Sequence, residues 1–251
     1  MMDNIKTLLS GTLSGLIPSI ICMPLEVITT NMQMNSKNVR HVCYDICRTS
    51  GIKGYYRGSY NTILGKTMFQ PIFFLSYEKL KEKNYNYAVS SYLAAALGST
   101  ICNPFYVLKT REQISLKKER LIKTLRRGDF GVLYKGLFLS LILNFELATS
   151  LPIYEYSKTK LNDFNINGSF NIFLSSFLAK LLASSLFFPI NTIRIVVRNS
   201  ISNLSVAESF YKIKSKAGYK SFYSGFLVYS IRSVPANIIT FMVYEWCKKH
   251  F

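Results

Sequence analysis

The sequence predicts an all-α membrane protein in which one two-helix unit is used three times. A proline-led segment recurs as Pro24-Leu25-Glu26-Val27-Ile28-Thr29, Pro104-Phe105-Tyr106-Val107-Leu108-Lys109 and Pro189-Ile190-Asn191-Thr192-Ile193-Arg194. Pro24 to Pro104 spans 80 residues and Pro104 to Pro189 spans 85, a period that marks one repeated supersecondary unit. The 251-residue chain is 49% hydrophobic and its mean hydropathy is +0.17, which points away from an ordinary soluble domain.

Six candidate spans cover residues 5–32, 60–80, 89–108, 136–156, 170–197 and 226–247. At about 1.5 Å per residue each is long enough to cross a hydrocarbon core of about 30 Å. They divide the chain into units 1–85, 86–162 and 163–251, with two spans in each. Every unit begins with a long helix that ends at its proline segment. Proline is tolerated in a membrane helix where a neighbour or a cavity satisfies the freed carbonyl, so each odd helix is expected to bend inward at Pro24, Pro104 or Pro189. A basic loop with a short amphipathic helix follows. Next come the glycine turns, Gly51 to Gly58, Gly131 to Gly136 and Gly218 to Gly225, where glycine permits positive φ. The even helices close on Tyr77-Glu78-Lys79-Leu80-Lys81, Tyr154-Glu155-Tyr156-Ser157-Lys158 and Tyr244-Glu245-Trp246-Cys247-Lys248. Acid and base stand three residues apart there, on neighbouring positions of one face.

A net charge of +18 raises the possibility of nucleic acid. The basic residues crowd a connection instead, as Lys117, Lys118, Arg120, Lys123, Arg126 and Arg127, where anionic lipid headgroups meet them. No nucleic-acid motif accompanies them. Lys66, Glu146, Lys180 and Arg232 lie inside spans, so their helices are expected to line a wet cavity. Cys22, Cys43, Cys47, Cys102 and Cys247 form no paired framework and read as reduced thiols. His41, Cys43 and Cys47 lack a fourth ligand and a zinc spacing, so no metal is expected. Without a nucleophile triad or a phosphate-cradling glycine loop, the chain reads as neither an enzyme nor a cofactor protein. Met1 to Leu8 lacks the pattern of a transit peptide, so any organelle address is expected within the chain.

These three sets of motifs resemble the mitochondrial carrier family, in which each repeat carries Pro-x-acid-x-x-base, a glycine turn and aromatic-acid-x-x-base. The resemblance covers essentially the whole chain. It implies a six-helix bundle with threefold pseudosymmetry in the mitochondrial inner membrane, both termini in the intermembrane space and the short helices in the matrix. It also implies a monomer bound by lipids, cardiolipin among them. Gly11 and Gly15 form a small-x-x-x-small pair that suits close helix approach. Gln33 and Gln113 stand nine residues after their prolines, where the family places a glutamine bracing an ion pair, and the third repeat has Arg198 there.

In the family, two rings of ion pairs close the two ends of the cavity alternately. Carried onto this chain, the matrix ring pairs Glu26 with Lys109, Tyr106 with Arg194 and Asn191 with Thr29. Only the first is ionic. Tyr106 and Arg194 are expected to make a cation–π or hydroxyl contact, and Asn191 with Thr29 a neutral hydrogen bond. The cytoplasmic ring keeps Glu78, Lys81, Glu155, Lys158, Glu245 and Lys248, so the matrix gate is expected to be the weaker one, tilting the resting population towards matrix-open.

Family substrate contacts carry over to Gly65 and Lys66 on the second helix, Ile142 and Leu143 on the fourth, and Arg232 and Ser233 on the sixth. Glu146 lies one turn from Ile142, and Lys180 falls about 20° from the pore-facing Asn191. Lys66, Lys180 and Arg232 against Glu146 give a field that favours an anion. The first expectation is exchange of a nucleotide or deoxynucleotide, with Arg232 gripping a phosphate or carboxylate. An S-adenosylmethionine carrier is the alternative, since Phe73 to Glu78 and Leu151 to Glu155 resemble those carriers and Glu146 would meet the sulfonium or amino group. A membrane scaffold that no longer transports is the alternative of another class.

Overall fold

The computed structural model describes residues 12–13, 15–83, 86–115, 130–163, 168–200, 204–233, 235–236 and 239. Their regular secondary structure is helical throughout. Helix α1 (Gly15–Ile21) meets α2 (Met23–Asn35) at Cys22, with the two axes 67° apart. Pro24 sits in the first turn of α2, where its missing N–H costs no intrahelical bond. The other two prolines behave differently: α5 (Tyr87–Ile114) and α9 (Ser169–Asn199) run through Pro104 and Pro189 as continuous helices. The helix is interrupted beside the first proline only, whereas the other two odd helices are unbroken at theirs.

Between α2 and α5 lie α3 (Val39–Ser50) and α4 (Ser59–Glu82). α3 is amphipathic: Val42 and Ile46, one turn apart, are buried, while His41, Tyr44, Asp45 and Arg48 are exposed. Its surface ion pair, Lys37 Nζ to Asp45 Oδ2 at 2.7 Å, holds the Asp45 carboxyl below its ordinary range through that hydrogen bond. The short α6 (Phe130–Leu133) precedes the fourth span, which is broken at Asn144 into α7 (Leu137–Leu143) and α8 (Phe145–Asp163). α10 (Val206–Ala217) starts at a capping box in which the Ser205 hydroxyl accepts from the Glu208 N–H and the Glu208 carboxylate accepts from the Ser205 N–H. α11 is described over residues 226–233.

The pseudosymmetry is written into three left-handed glycines. Gly58, Gly136 and Gly225 have φ of +77°, +70° and +85°. A Cβ on Gly58 would stand 3.0 Å from the Lys109 carbonyl oxygen, on Gly136 3.3 Å from Arg194 Cγ, and on Gly225 3.3 Å from the Thr29 carbonyl oxygen. Lys109, Arg194 and Thr29 are the sixth residues of the three proline segments. The first unit thus packs on the second, the second on the third and the third on the first, which closes a ring.

Residue placement is inverted relative to a soluble bundle. Leu75, Leu97, Ile101, Leu151, Leu186 and Leu227 are exposed, whereas Gln33, Asn61, Asn103, Gln113 and Thr192 are buried. Apolar side chains turned outward suit a hydrocarbon solvent, and buried polar groups then hold the helices together. Packed apolar clusters are local, such as Met23, Val27, Ile28, Val42, Ile46 and Val228 beneath α3. By length and hydropathy, two described stretches suit a membrane span, Phe130–Asp163 and Phe170–Asn199, or three when α1 and α2 count as one. α4 and α5 are 24 and 28 residues long but do not meet the same criterion, because polar residues such as Asn61, Lys66, Asn103 and Lys109 interrupt their apolar faces.

Candidate functional site: a basic cavity between the odd helices

α2, α5 and α9 converge beyond their prolines and enclose, with α7, α8 and α11, a cavity of about 350 Å³. Its charged lining consists of Lys109, Arg194, Arg198 and Arg232 against Glu26 and Glu146, a net +2. Tyr106, Tyr229, Leu143 and Ile195 add aromatic and apolar wall.

Glu26, in the first turn of α2, is the hub of the ion pairs at one end of the cavity. Lys109 Nζ donates to its Oε1 at 2.5 Å, and Arg232 Nη1 stands 3.6 Å from its Oε2. One carboxylate thereby joins cations from the second and third units. Arg232 also lies over the Tyr229 ring, 5.2 Å from its centroid. Motif positions alone give this end a single ion pair. The structure adds Arg232, which the sequence reading placed among the substrate contacts.

The other two pairs expected beside it are not formed among the described contacts. Thr29 donates its hydroxyl to the Leu25 carbonyl at 2.7 Å, and the Asn191 amide oxygen accepts from Arg194 Nη2 at 2.6 Å, so each is satisfied within its own helix. Arg194 also reaches the Ser140 hydroxyl oxygen at 3.4 Å. The Tyr106 ring is packed on Gly65, where a Cβ would meet it at 3.0 Å, and the described ring contacts with cations do not include Tyr106 with Arg194.

The residues nine after each proline form a second ring, and they bond neutral partners instead of bracing an ion pair. Gln33 donates to the Thr192 hydroxyl at 3.2 Å, Gln113 accepts from the Thr30 hydroxyl at 3.0 Å, and Arg198 donates to the Asn103 amide oxygen at 2.9 Å. The first unit is tied to the third, the second to the first, and the third to the second. Thr192→Val keeps the volume but leaves the buried Gln33 amide without an acceptor. Its expected cost is about 1–3 kcal/mol, read as a lower midpoint of thermal unfolding in detergent.

The other expected contacts divide. Glu146, in the first turn of α8, lines the cavity, but its Oε1 already accepts from Lys180 Nζ at 2.6 Å and the Ser184 hydroxyl at 2.8 Å. Leu143 lines the cavity, joined by Asn144 at the helix break; Ile142 and Lys180 are not among the lining residues. Gly65 is covered by Tyr106. Lys66 is turned to α1, donating to the Gly15 carbonyl at 3.3 Å and to the Ser19 hydroxyl. Ser233 donates to the Ser230 carbonyl at 2.6 Å within its own helix.

At the opposite end, Glu78, Lys81, Glu155 and Lys158 make no ion pair with one another among the described residues; Lys81 lies over Tyr87 at 5.6 Å and Lys158 over Tyr154 at 5.7 Å. Glu245, Lys248, Gly11 and the basic stretch from Lys117 to Arg127 lie outside the described residues.

Asn103, Ser140, Asn144 and Tyr229 were not singled out from the sequence. Asn103 carried a signal: it directly precedes Pro104, where the other repeats have Met23 and Phe188. A buried amide at an otherwise apolar repeat position asks for a polar partner. Its amide donates to the Leu133 carbonyl at 2.7 Å and its oxygen receives Arg198.

A sequence profile described as mitochondrial carrier protein matches the chain three times, over residues 2–87, 82–165 and 167–251. The chain belongs to the mitochondrial carrier family. This carrier is 26% identical to mitochondrial nicotinamide adenine dinucleotide transporter 1 of Saccharomyces cerevisiae, over 96% of its own length and 75% of the relative's. It is 27% identical to nicotinamide adenine dinucleotide transporter 1, chloroplastic, of Arabidopsis thaliana, covering 94% and 88% of the two chains. Folate transporter 1, chloroplastic, of the same plant is 24% identical, with coverage of 94% and 92%. Members of the family transport solutes across membranes, so this protein is a membrane solute carrier and not an enzyme.

Proposed function

We propose that this carrier exchanges a phosphate-bearing nucleotide or deoxynucleotide, dinucleotides such as nicotinamide adenine dinucleotide included, across the mitochondrial inner membrane by alternating access. The observation that carries the reading is the cavity lining of four cations against two carboxylates. In a confined low-dielectric space such a field concentrates anions and repels cations. Tyr106 and Tyr229 offer flat surfaces against which a base stacks. Relatives named as dinucleotide transporters support the same class.

In this reading Glu26, Lys109 and Arg232 hold the matrix end shut. Glu78, Lys81, Glu155, Lys158, Glu245 and Lys248 pair when the cavity opens to the matrix. The carrier works as a monomer of three repeats, with lipids such as cardiolipin at the short helices. Its driving forces are gradients and membrane potential.

The cation reading, S-adenosylmethionine, is weakened because the acid that would meet the sulfonium, Glu146, already accepts from Lys180 and Ser184. The test is uptake by the purified full chain in proteoliposomes loaded with mixed nucleotides. Labelled nucleotides are expected to enter. Entry of S-adenosylmethionine or folate in their place would overturn the substrate class, and no exchange of any solute by folded protein would favour a scaffold.

A further inference from the structure

We infer that Arg194 and Arg198 form a seat for the phosphoryl or diphosphate group of the substrate at the floor of the cavity, deeper than the expected contact at Arg232. The inference rests on the nucleotide reading above for its substrate, and on charge accounting for its location. Six charged groups line the cavity, and four of them already have an ion-pair partner. Glu26 takes Lys109 and Arg232. Glu146 takes Lys180, which comes from outside the lining. Arg194 and Arg198 are left with neutral partners only: Asn191, Asn103 and the one hydroxyl of Ser140 that both guanidinium groups share, at 3.4 and 2.9 Å. Among the described residues no carboxylate is in ion-pair contact with either.

Burying a guanidinium against neutral acceptors leaves its charge uncompensated, which is costly. The two arginines are four residues apart on α9 and so project from adjacent turns of one face. Arg194 Nε and Arg198 Nε are buried without an acceptor, and so is Gln113 Nε2 from the facing helix α5. With Arg232 Nε, four donors lacking acceptors line the one cavity, and two of its cations have no carboxylate in ion-pair contact. The other repeats carry neutral Gln33 and Gln113 at the position of Arg198, which shows that the fold closes without a charge there. A phosphoryl oxygen accepts from two guanidinium groups at once and would replace the shared Ser140 hydroxyl as their acceptor.

The test uses the full chain in detergent with inorganic pyrophosphate as the probe and malonate as the carboxylate control. Pyrophosphate is expected to raise the thermal unfolding midpoint of the wild-type protein by more than malonate does. Arg198→Gln, which installs the residue of the other two repeats, should abolish that rise, and Arg198→Lys should keep part of it. In proteoliposomes Arg198→Gln should raise the KM for nucleotides by about tenfold, as for loss of one charge-assisted contact. No rise in the wild type, or an equal rise in Arg198→Gln, would overturn the seat. The two readings fail separately. A pyrophosphate effect that depends on Arg198 in a chain that carries no nucleotide would remove the substrate class and leave the seat. Nucleotide transport with an unchanged KM in Arg198→Gln would do the reverse.

Discussion

Glu26→Gln is expected to lower the unfolding free energy of the carrier in detergent by about 3–5 kcal/mol, the range for breaking a buried ion pair from one side. Glu26 and Lys109 are partly buried, their side chains 19% and 13% exposed, and Arg232 is 24% exposed. Removing the shared carboxylate therefore strands two cations at once, whereas Lys109→Met leaves the carboxylate paired with Arg232. Glu26→Gln should thus be the more damaging of the two. The double variant Glu26→Gln with Lys109→Met should lose less than the sum of the singles, because it removes one of the stranded charges. Thermal unfolding of the four proteins gives the coupling directly. Additive losses would mean that the pair contributes nothing of its own.

Gly58→Val should unfold the carrier or prevent its assembly. The residue would have to hold φ at +77°, which disfavours any Cβ by roughly 1–2 kcal/mol and a β-branched side chain by more. Its Cβ would also press on the Lys109 carbonyl, backbone that cannot rotate away, at 3.0 Å. Alanine replacements at the three equivalent turns separate the two causes. Gly58→Ala meets backbone, Gly225→Ala meets Met32 Cβ at 3.1 Å and the Thr29 carbonyl at 3.3 Å, and Gly136→Ala meets only the Arg194 and Arg198 side-chain stems and the Arg194 carbonyl, none closer than 3.3 Å. The expected order of damage is Gly58, then Gly225, then Gly136. Gly51 and Gly218 pair positive φ with ψ of −155° and −149°, outside the left-handed helical well, so alanine there carries a backbone cost of its own even in open space. Equal losses at the three equivalent turns would refute close packing as the reason for these glycines.

The all-α class and the three repeats were legible because a repeat states its own period. Three prolines, three glycine turns and three aromatic-acid-x-x-base ends are redundant signals, so drift in one leaves the others readable. Glu26 with Lys109 was legible for the same reason, as motif positions on neighbouring units. Side-chain choice among several partners was not legible. Arg232 lies 206 residues from Glu26 in sequence, and nothing local says that its guanidinium leaves the substrate face for a gate carboxylate. Lys66 was placed on the cavity by its register, but a long side chain reaches a neighbouring helix, and the Gly15 carbonyl and Ser19 hydroxyl draw it there. Thr29 and Asn191 were paired by analogy with charged residues at those positions. Neutral side chains attract weakly over distance, so each took the nearest partner in its own helix. Spacing alone also did not reveal that Pro24 breaks its helix while Pro104 and Pro189 do not.

Counter-exchange in proteoliposomes tests the central claim most directly, that this is a carrier moving phosphate-bearing anions through the cavity between the three repeats. Uptake of a labelled nucleotide is measured into vesicles that are empty or preloaded with unlabelled nucleotide. The account predicts uptake that preloading stimulates and that Arg198→Gln depresses. Folded wild-type protein that takes up no nucleotide from either side, loaded or empty, would contradict it.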